Sequence, residues 1–181
     1  MAKMNIPRDR YWQRRPGPGA GRYHPWLIER GSLTRRIRER CAAFSVKLVF
    51  QGPRRVTREE RFLGTGTGSR CAVVREVYLY CGSTPVVFAH SAMRRRDLRG
   101  AWRALARLGT RPLGAALFAD PRVRRYPLRF RNLDSRDELY MRACAVLDAS
   151  PLVLRARRSL FTLRKSPILV TEIFLPGILK L

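Results

Sequence analysis

Residues 71–93 read CAVVREVYLYCGSTPVVFAHSAM, two β-branched and aromatic runs, 71–80 and 84–93, joined by Cys81-Gly82-Ser83. Two antiparallel strands close through a link this short, whereas a parallel pair needs a crossover of a dozen or more residues. The stretch therefore predicts a β-hairpin and argues against a parallel, doubly wound sheet.

Alternation within the first run puts Arg75 with Val73, Val77 and Leu79, facing the core, and Glu76 with Val74, Tyr78 and Tyr80. The same count in ILVTEIFLP, residues 168–176, sets Glu172 beside Ile168, Val170 and Phe174, with a second mostly apolar face of Leu169, Thr171, Ile173 and Leu175. An unpaired buried carboxylate or guanidinium costs several kcal/mol, so each needs a partner or a ligand. Two readings stand at this point. Arg75 and Glu172 satisfy each other, or they line an anion pocket in which Arg75 forks onto a carboxylate and Glu172, in dry surroundings, transfers a proton.

Outward from these strands, HPWLIER (24–30) and SLTRRIRERC (32–41) read as helices with Ser32 as N-cap, and AFSVKLVFQ (43–51) as a strand with Phe44, Val46, Leu48 and Phe50 inward. RDLRGAWRALARL (96–108) carries Leu98, Trp102, Leu105 and Leu108 at helical spacing ahead of Gly109, and Pro112 opens a second short helix. RVRRYPLRFRNL, LVLRARRSLFTL and ILVTEIFLP are three further strands; SRDELYMRACAVLDASP between them is a short helix or a loop. The sum is an α+β domain on a single antiparallel sheet of about six strands with helices packed on it. Residues 1–22, a mix of Arg, Pro and Gly, read as a flexible basic arm before a domain spanning 23–181.

The chain of 181 residues carries 38 lysines and arginines against 13 acids, a formal charge of +25. Such a field favours nucleic acid, an anionic membrane surface or a small anion as partner, but the arginines are spread through nearly every segment rather than gathered in one patch. Four cysteines far apart, without C-x-x-C spacing, and two histidines support neither zinc nor a disulfide framework, so four free thiols in a reducing compartment are expected. No signal-type or membrane-spanning run is present, and a cytoplasmic location is expected. Gly64-Thr65-Gly66-Thr67-Gly68 lacks the spacing of a phosphate cradle. Tyr126 and Phe130 among arginines suit a base-stacking surface less well than a half-exposed strand. His90-Ser91 lacks a third partner for nucleophilic chemistry.

Five motifs in order, GSLTRR (31–36), VREV (74–77), LGTRPLG (108–114) followed by Leu117-Phe118, ARRSLF (156–161) and LVTEIFLP (169–176), resemble the chorismate lyase family from about Trp26 to Pro176. The resemblance implies a cofactor-free and metal-free elimination that splits the dianion chorismate into pyruvate and 4-hydroxybenzoate for ubiquinone synthesis. A monomer with no obligatory nucleic acid is expected, and the charge of +25 leaves room for a weak association with anionic surfaces. Position by position, Arg75 would hold the ring carboxylate and Glu172 would sit near the hydroxyl carbon. Leu33 and Leu113 would close over the ligand and offer it backbone groups. The sequence departs from the family pattern at His90, where an arginine that helps hold the second carboxylate is expected, and at Arg94, where proline is usual; Leu154 replaces a common tryptophan. The same fold also resembles the effector (UTRA-like) domain of bacterial transcription regulators, so a ligand-binding module without catalysis is the alternative, and a nucleic-acid-binding protein a third.

Overall fold

The computed structural model describes residues 11–63 and 71–181. The hairpin forms as the sequence predicts: β2 (Cys71–Cys81) turns through Gly82, at φ +57°, into β3 (Thr84–Met93). With β1 (Phe44–Arg55), β4 (Arg124–Arg125), β5 (Arg129–Leu133), β6 (Leu154–Leu163) and β7 (Ser166–Phe174) they make one sheet in the order β1-β2-β3-β7-β6-β4, with β5 also paired to β6. Every pairing is antiparallel. The segment read as one strand, RVRRYPLRFRNL, is two, because Pro127 between them has no N–H for the ladder; that makes seven strands rather than six.

Four short helices pack on this sheet: α1 (His24–Leu27), α2 (Leu33–Arg38), α3 (Leu113–Ala119) and α4 (Glu138–Cys144). Ser32 caps α2 as expected, its Oγ accepting from the Arg35 N–H at 3.3 Å. The single helix expected over 96–108 is instead two 3₁₀ turns, Arg95–Leu98 and Arg103–Arg107. Between them the Trp102 N–H bonds back to the Asp97 carbonyl at 2.9 Å, five residues away, which interrupts the helical ladder beside Gly100. Trp102, Leu105 and Leu108 still reach the core.

Three further expectations are corrected. A bulge between Leu48 and Phe50 shifts the β1 register, so Phe44 and Val46 pack on one face of the sheet, Phe50 on the other, and Leu48 is exposed. Cys41 and Cys81 are joined in a disulfide, leaving Cys71 and Cys144 free, so the inference of a reducing compartment from four thiols does not hold. Pairing of Phe44 with Cys81 in β1 and β2 is what closes a separation of 40 residues that spacing alone could not reveal. Finally, the expected arm is not free along its whole described part: Trp12 and Ala20 are buried, although most of residues 11–22 are exposed. Trp12 is 5% exposed in the cluster around Tyr78 and Phe88, and Gln13 exchanges both backbone hydrogen bonds with Phe130. Residues 1–10 and the glycine-rich 64–68 lie outside the described residues.

The chain end closes one core cluster through Ile178 in the turn Pro176–Lys180. A Cβ at Gly177 would lie 2.5 Å from both the Pro85 carbonyl oxygen and the Thr84 Cγ2. Gly177→Ala is therefore expected to lower stability by about 1–3 kcal/mol, as overpacking does. An unchanged urea-unfolding midpoint would show that this segment is not seated there.

Candidate active site

Antiparallel register assembles the site from two rows of inward residues. One row runs Val77, Ala89, Glu172, Arg157 across β2, β3, β7 and β6; the next runs Arg75, Ser91, Val170, Ser159. Arg75, Glu172, Leu33 and Leu113, all expected at the site, line one cavity here, together with Arg125 and Arg157. Its roof is formed by α2 and α3, in which Leu33 and Leu113 are the first residues; their N–H groups belong to the helix turn that has no intrahelical acceptor. About 50 Å³ of free space remains, well under the roughly 300 Å³ at which ligand pockets begin. For a ring-sized molecule to enter, the lining has to give.

Arg75 and Glu172 do not satisfy each other. Arg75 is 5% exposed, and its Nη2 donates to the carbonyl oxygens of Gly109 at 3.0 Å and Arg111 at 3.2 Å. Its Nε is buried with no hydrogen-bond partner. Burial lowers the Arg75 pKa from its ordinary value, and no carboxylate opposes that effect. Gly109, at φ +55°, gives the turn that brings those carbonyls over the guanidinium and leads into α3.

Glu172 is not in the dry apolar setting expected of it: its Oε2 accepts from Arg157 Nε at 2.6 Å. Arg157 in turn is 1% exposed and spends Nη1 on the carbonyl oxygens of Trp26, Leu27 and Glu29 at the end of α1. Cations suit a helix C-terminus, where carbonyls are left unbonded. The carboxylate is thus held in place by an arginine that is itself fixed to backbone.

His90 is a correction. One step along the strand from Ala89 and Ser91, it points to the opposite face, where it is 1% exposed and does not line the cavity. Its Nδ1 lies 2.9 Å from Glu76 and its Nε2 2.7 Å from Glu60, so only the protonated ring can donate to both. Burial acts to lower the His90 pKa, but the hydrogen bonds and charges of the two glutamates outweigh it and raise it to about 9. Arg142 and Arg54 complete the cluster on Glu76 at 2.6 and 2.8 Å. Arg94, the other departure, is bonded to Asp97 and the Lys165 carbonyl oxygen. Phe130 is buried in the core, which removes it from any base-stacking surface.

Sequence reading did not single out Arg125 or Arg157. For Arg157 the signal was present: alternation in ARRSLF places it with Ser159 and Phe161, the residues it shares the cavity with. Arg125 sits on a two-residue strand, too short for any period to show.

Fold and site together define a protein built on a single antiparallel sheet with a roofed cavity on one face, lined by three guanidinium groups and one carboxylate. The family model described as chorismate lyase matches residues 19–180, and the chain belongs to that family. It is 50% identical over 179 residues to a protein named "Probable chorismate pyruvate-lyase" of Nitrosospira multiformis, covering 98% of this chain and 99% of the relative. A protein of the same name from Aromatoleum aromaticum is 48% identical, with 97% of each chain covered. Among solved structures, a GntR-family transcriptional regulator from Bacillus cereus (TM-score 0.53, 11% identity, 74% of this chain and 92% of that one) shares the fold. So does the C-terminal domain of the histidine utilization repressor from Pseudomonas syringae (TM-score 0.52, 11% identity, with 74% and 92% covered). No helix among the described residues is long and apolar enough to cross a membrane.

The His90 cluster generates a pH prediction. A raised folded pKa contributes stability that is complete below about pH 6.5 and lost as pH rises through about 9. Wild-type protein should therefore lose stability across that window in urea unfolding. His90→Gln should start about 3–5 kcal/mol lower, with the buried Glu60 left without its cation and Glu76 left to Arg142 and Arg54, and lack this decline. A wild-type profile flat from pH 6 to 10 would contradict the cluster.

Proposed function

We propose that the protein eliminates pyruvate from chorismate, leaving 4-hydroxybenzoate. The observation that carries this reading is Arg75: a buried cation with an unpartnered Nε, lining a roofed cavity whose one carboxylate, Glu172, is fixed two strands away. A ligand carboxylate on Arg75 supplies the missing acceptor and the missing charge, in a charge-assisted bond that a neutral group could not match. With the ring carboxylate there, the carbon that bears the hydroxyl lies at the far end of the ring, towards Glu172.

In the reaction the bond between ring carbon and enolpyruvyl oxygen breaks, the hydrogen leaves the neighbouring hydroxyl-bearing carbon, and the enolpyruvyl group takes up a proton to become pyruvate. Nothing is oxidised or reduced overall, and the ring becomes aromatic, so the protein's part is to orient the substrate and place charge. Arg75 orients it, Glu172 faces the hydroxyl end with its position set by Arg157, and the backbone of Leu33 and Leu113 closes the roof. Membership of the family and the names of the close relatives support this reading, and the ubiquinone role of the product is carried with it. A non-catalytic effector module has the same fold, but a second fixed polar group opposite the anchoring arginine favours turnover.

Purified protein incubated with chorismate should release 4-hydroxybenzoate and pyruvate in equal amounts. Arg75→Ala should lower kcat/KM by on the order of 100-fold or more, the loss of a charged hydrogen-bonding group from a buried site, and Glu172→Gln should lower kcat. Tight binding of 4-hydroxybenzoate without turnover would point to a sensor instead.

A further inference from the structure

His90 lies on the wrong face to hold the second carboxylate of a dianionic substrate, so that role has to fall to another residue. Three guanidinium groups line the cavity, those of Arg75, Arg125 and Arg157, against the single carboxylate of Glu172. Arg157 is consumed by Glu172 and by three backbone carbonyls. Two positive charges remain uncompensated, which is the charge complement of a dicarboxylate. One is Arg75, and the other is Arg125.

The two arginines are built alike. Arg75 bonds the carbonyls of the turn that leads into α3. Arg125 Nη1 donates to the carbonyl oxygens of Arg30 and Gly31, just ahead of α2, and its Nε donates to Ser159 Oγ at 3.0 Å. Each therefore ties the base of one roof helix to the sheet. Arg125 forms no ion pair among the described residues, since nearby Glu29 is taken by Arg36 at 2.9 Å and by the Gly31 N–H at 2.6 Å. Its guanidinium lies 5.3 Å from the ring centroids of both Phe118 and Phe161, and burial lowers its pKa from the ordinary value. On β4 Arg125 pairs with Phe161 and its side chain bonds Ser159, the β6 end of the row Arg75, Ser91, Val170, Ser159, which puts it on the far side of the cavity from Arg75, beyond the strand that carries Glu172. Arg125 also lines a larger neighbouring cleft of ≈ 750 Å³ that holds Arg14, Arg15, His24 and Arg30.

We propose that Arg125 binds the enolpyruvyl carboxylate of the substrate, so that the two cavity arginines together select a dicarboxylate. The inference rests on the lyase reading above. With the ring carboxylate on Arg75 and the hydroxyl carbon facing Glu172, the ether oxygen leaves from the adjacent ring carbon, and its side arm runs beside Glu172 to Arg125. After the bond breaks, pyruvate remains on Arg125 at the boundary of the larger basic cleft, while 4-hydroxybenzoate remains on Arg75.

The test separates the two carboxylates by using ligands that have one or both. In Arg125→Gln the KM for chorismate is expected to rise about 10- to 100-fold, the range of a lost charged hydrogen bond, while the dissociation constant of 4-hydroxybenzoate changes less than threefold. Arg125→Lys, which keeps the charge without the fork, should recover part of the KM. Equal weakening of both ligands, with a lowered thermal midpoint, would assign Arg125 a structural role and overturn the inference, as would an unchanged KM in a folded Arg125→Gln. Wild-type protein that leaves chorismate intact would overturn the lyase reading and this inference with it, whereas wild-type turnover with an indifferent Arg125 would overturn the inference alone.

Discussion

Arg75 is a cation enclosed in the core of a β-sheet, and among the described residues its side chain bonds only the two carbonyl oxygens of the turn at Gly109–Arg111. Enclosing a charge without an opposing one is costly, and the sheet has the means to avoid it. One residue further along the same strand, Glu76 is just as deeply placed and is met by His90, Arg142 and Arg54. The two faces of one sheet thus follow opposite rules. The far face pairs Glu76 and Glu60 with His90, Arg142 and Arg54, while the cavity face leaves its guanidinium charge in excess. Under the proposed function a ligand removes that excess, and the roof helices and the turn at Gly109–Arg111 enclose it.

Much of the large positive charge has a quieter explanation. Arginine carries five donors on a planar fork, and this chain uses them to hold backbone oxygens: Arg22 on Leu179, Arg36 on Pro25, Arg155 on Gly19, and Arg157 on three carbonyls at the end of α1. These contacts tie loops and chain ends to the sheet. A net +25 therefore measures no single binding surface. What bears on an anionic ligand is the local imbalance within the cavity, reinforced by the basic cleft beside it, where a positive field would steer a dianion inward.

The hairpin at 71–93 and the placement of Arg75 and Glu172 on inward faces were legible because strand alternation is a strict period of two, and both runs are long enough to show it. Leu33 and Leu113 came from family motifs and line the cavity together with Arg75 and Glu172. What escaped sequence reading did so for identifiable reasons. His90 was weighed by its motif position, although the same alternation that puts Arg75 on the cavity face puts Glu76, and with it the cross-strand partner His90, on the opposite and equally buried face. Arg125 precedes Pro127 on a strand of two residues, and its role depends on the distant Ser159 and on a loop at Gly31. The Cys41–Cys81 bond and the burial of Trp12 depend on pairings between segments far apart in the chain, which local pattern does not encode. The 96–108 segment had helical spacing of its apolar residues and still formed two short turns, since burying Trp102, Leu105 and Leu108 does not require a continuous helix.

The claim that a ligand carboxylate completes the charge balance at Arg75 is tested most directly by a crystal structure of the protein with 4-hydroxybenzoate. The account predicts the carboxylate within hydrogen-bonding distance of Arg75 Nε and the hydroxyl directed towards Glu172, under a roof formed by Leu33 and Leu113. A ring bound in the reverse sense, or outside this cavity with Arg75 Nε still unpartnered, would contradict it.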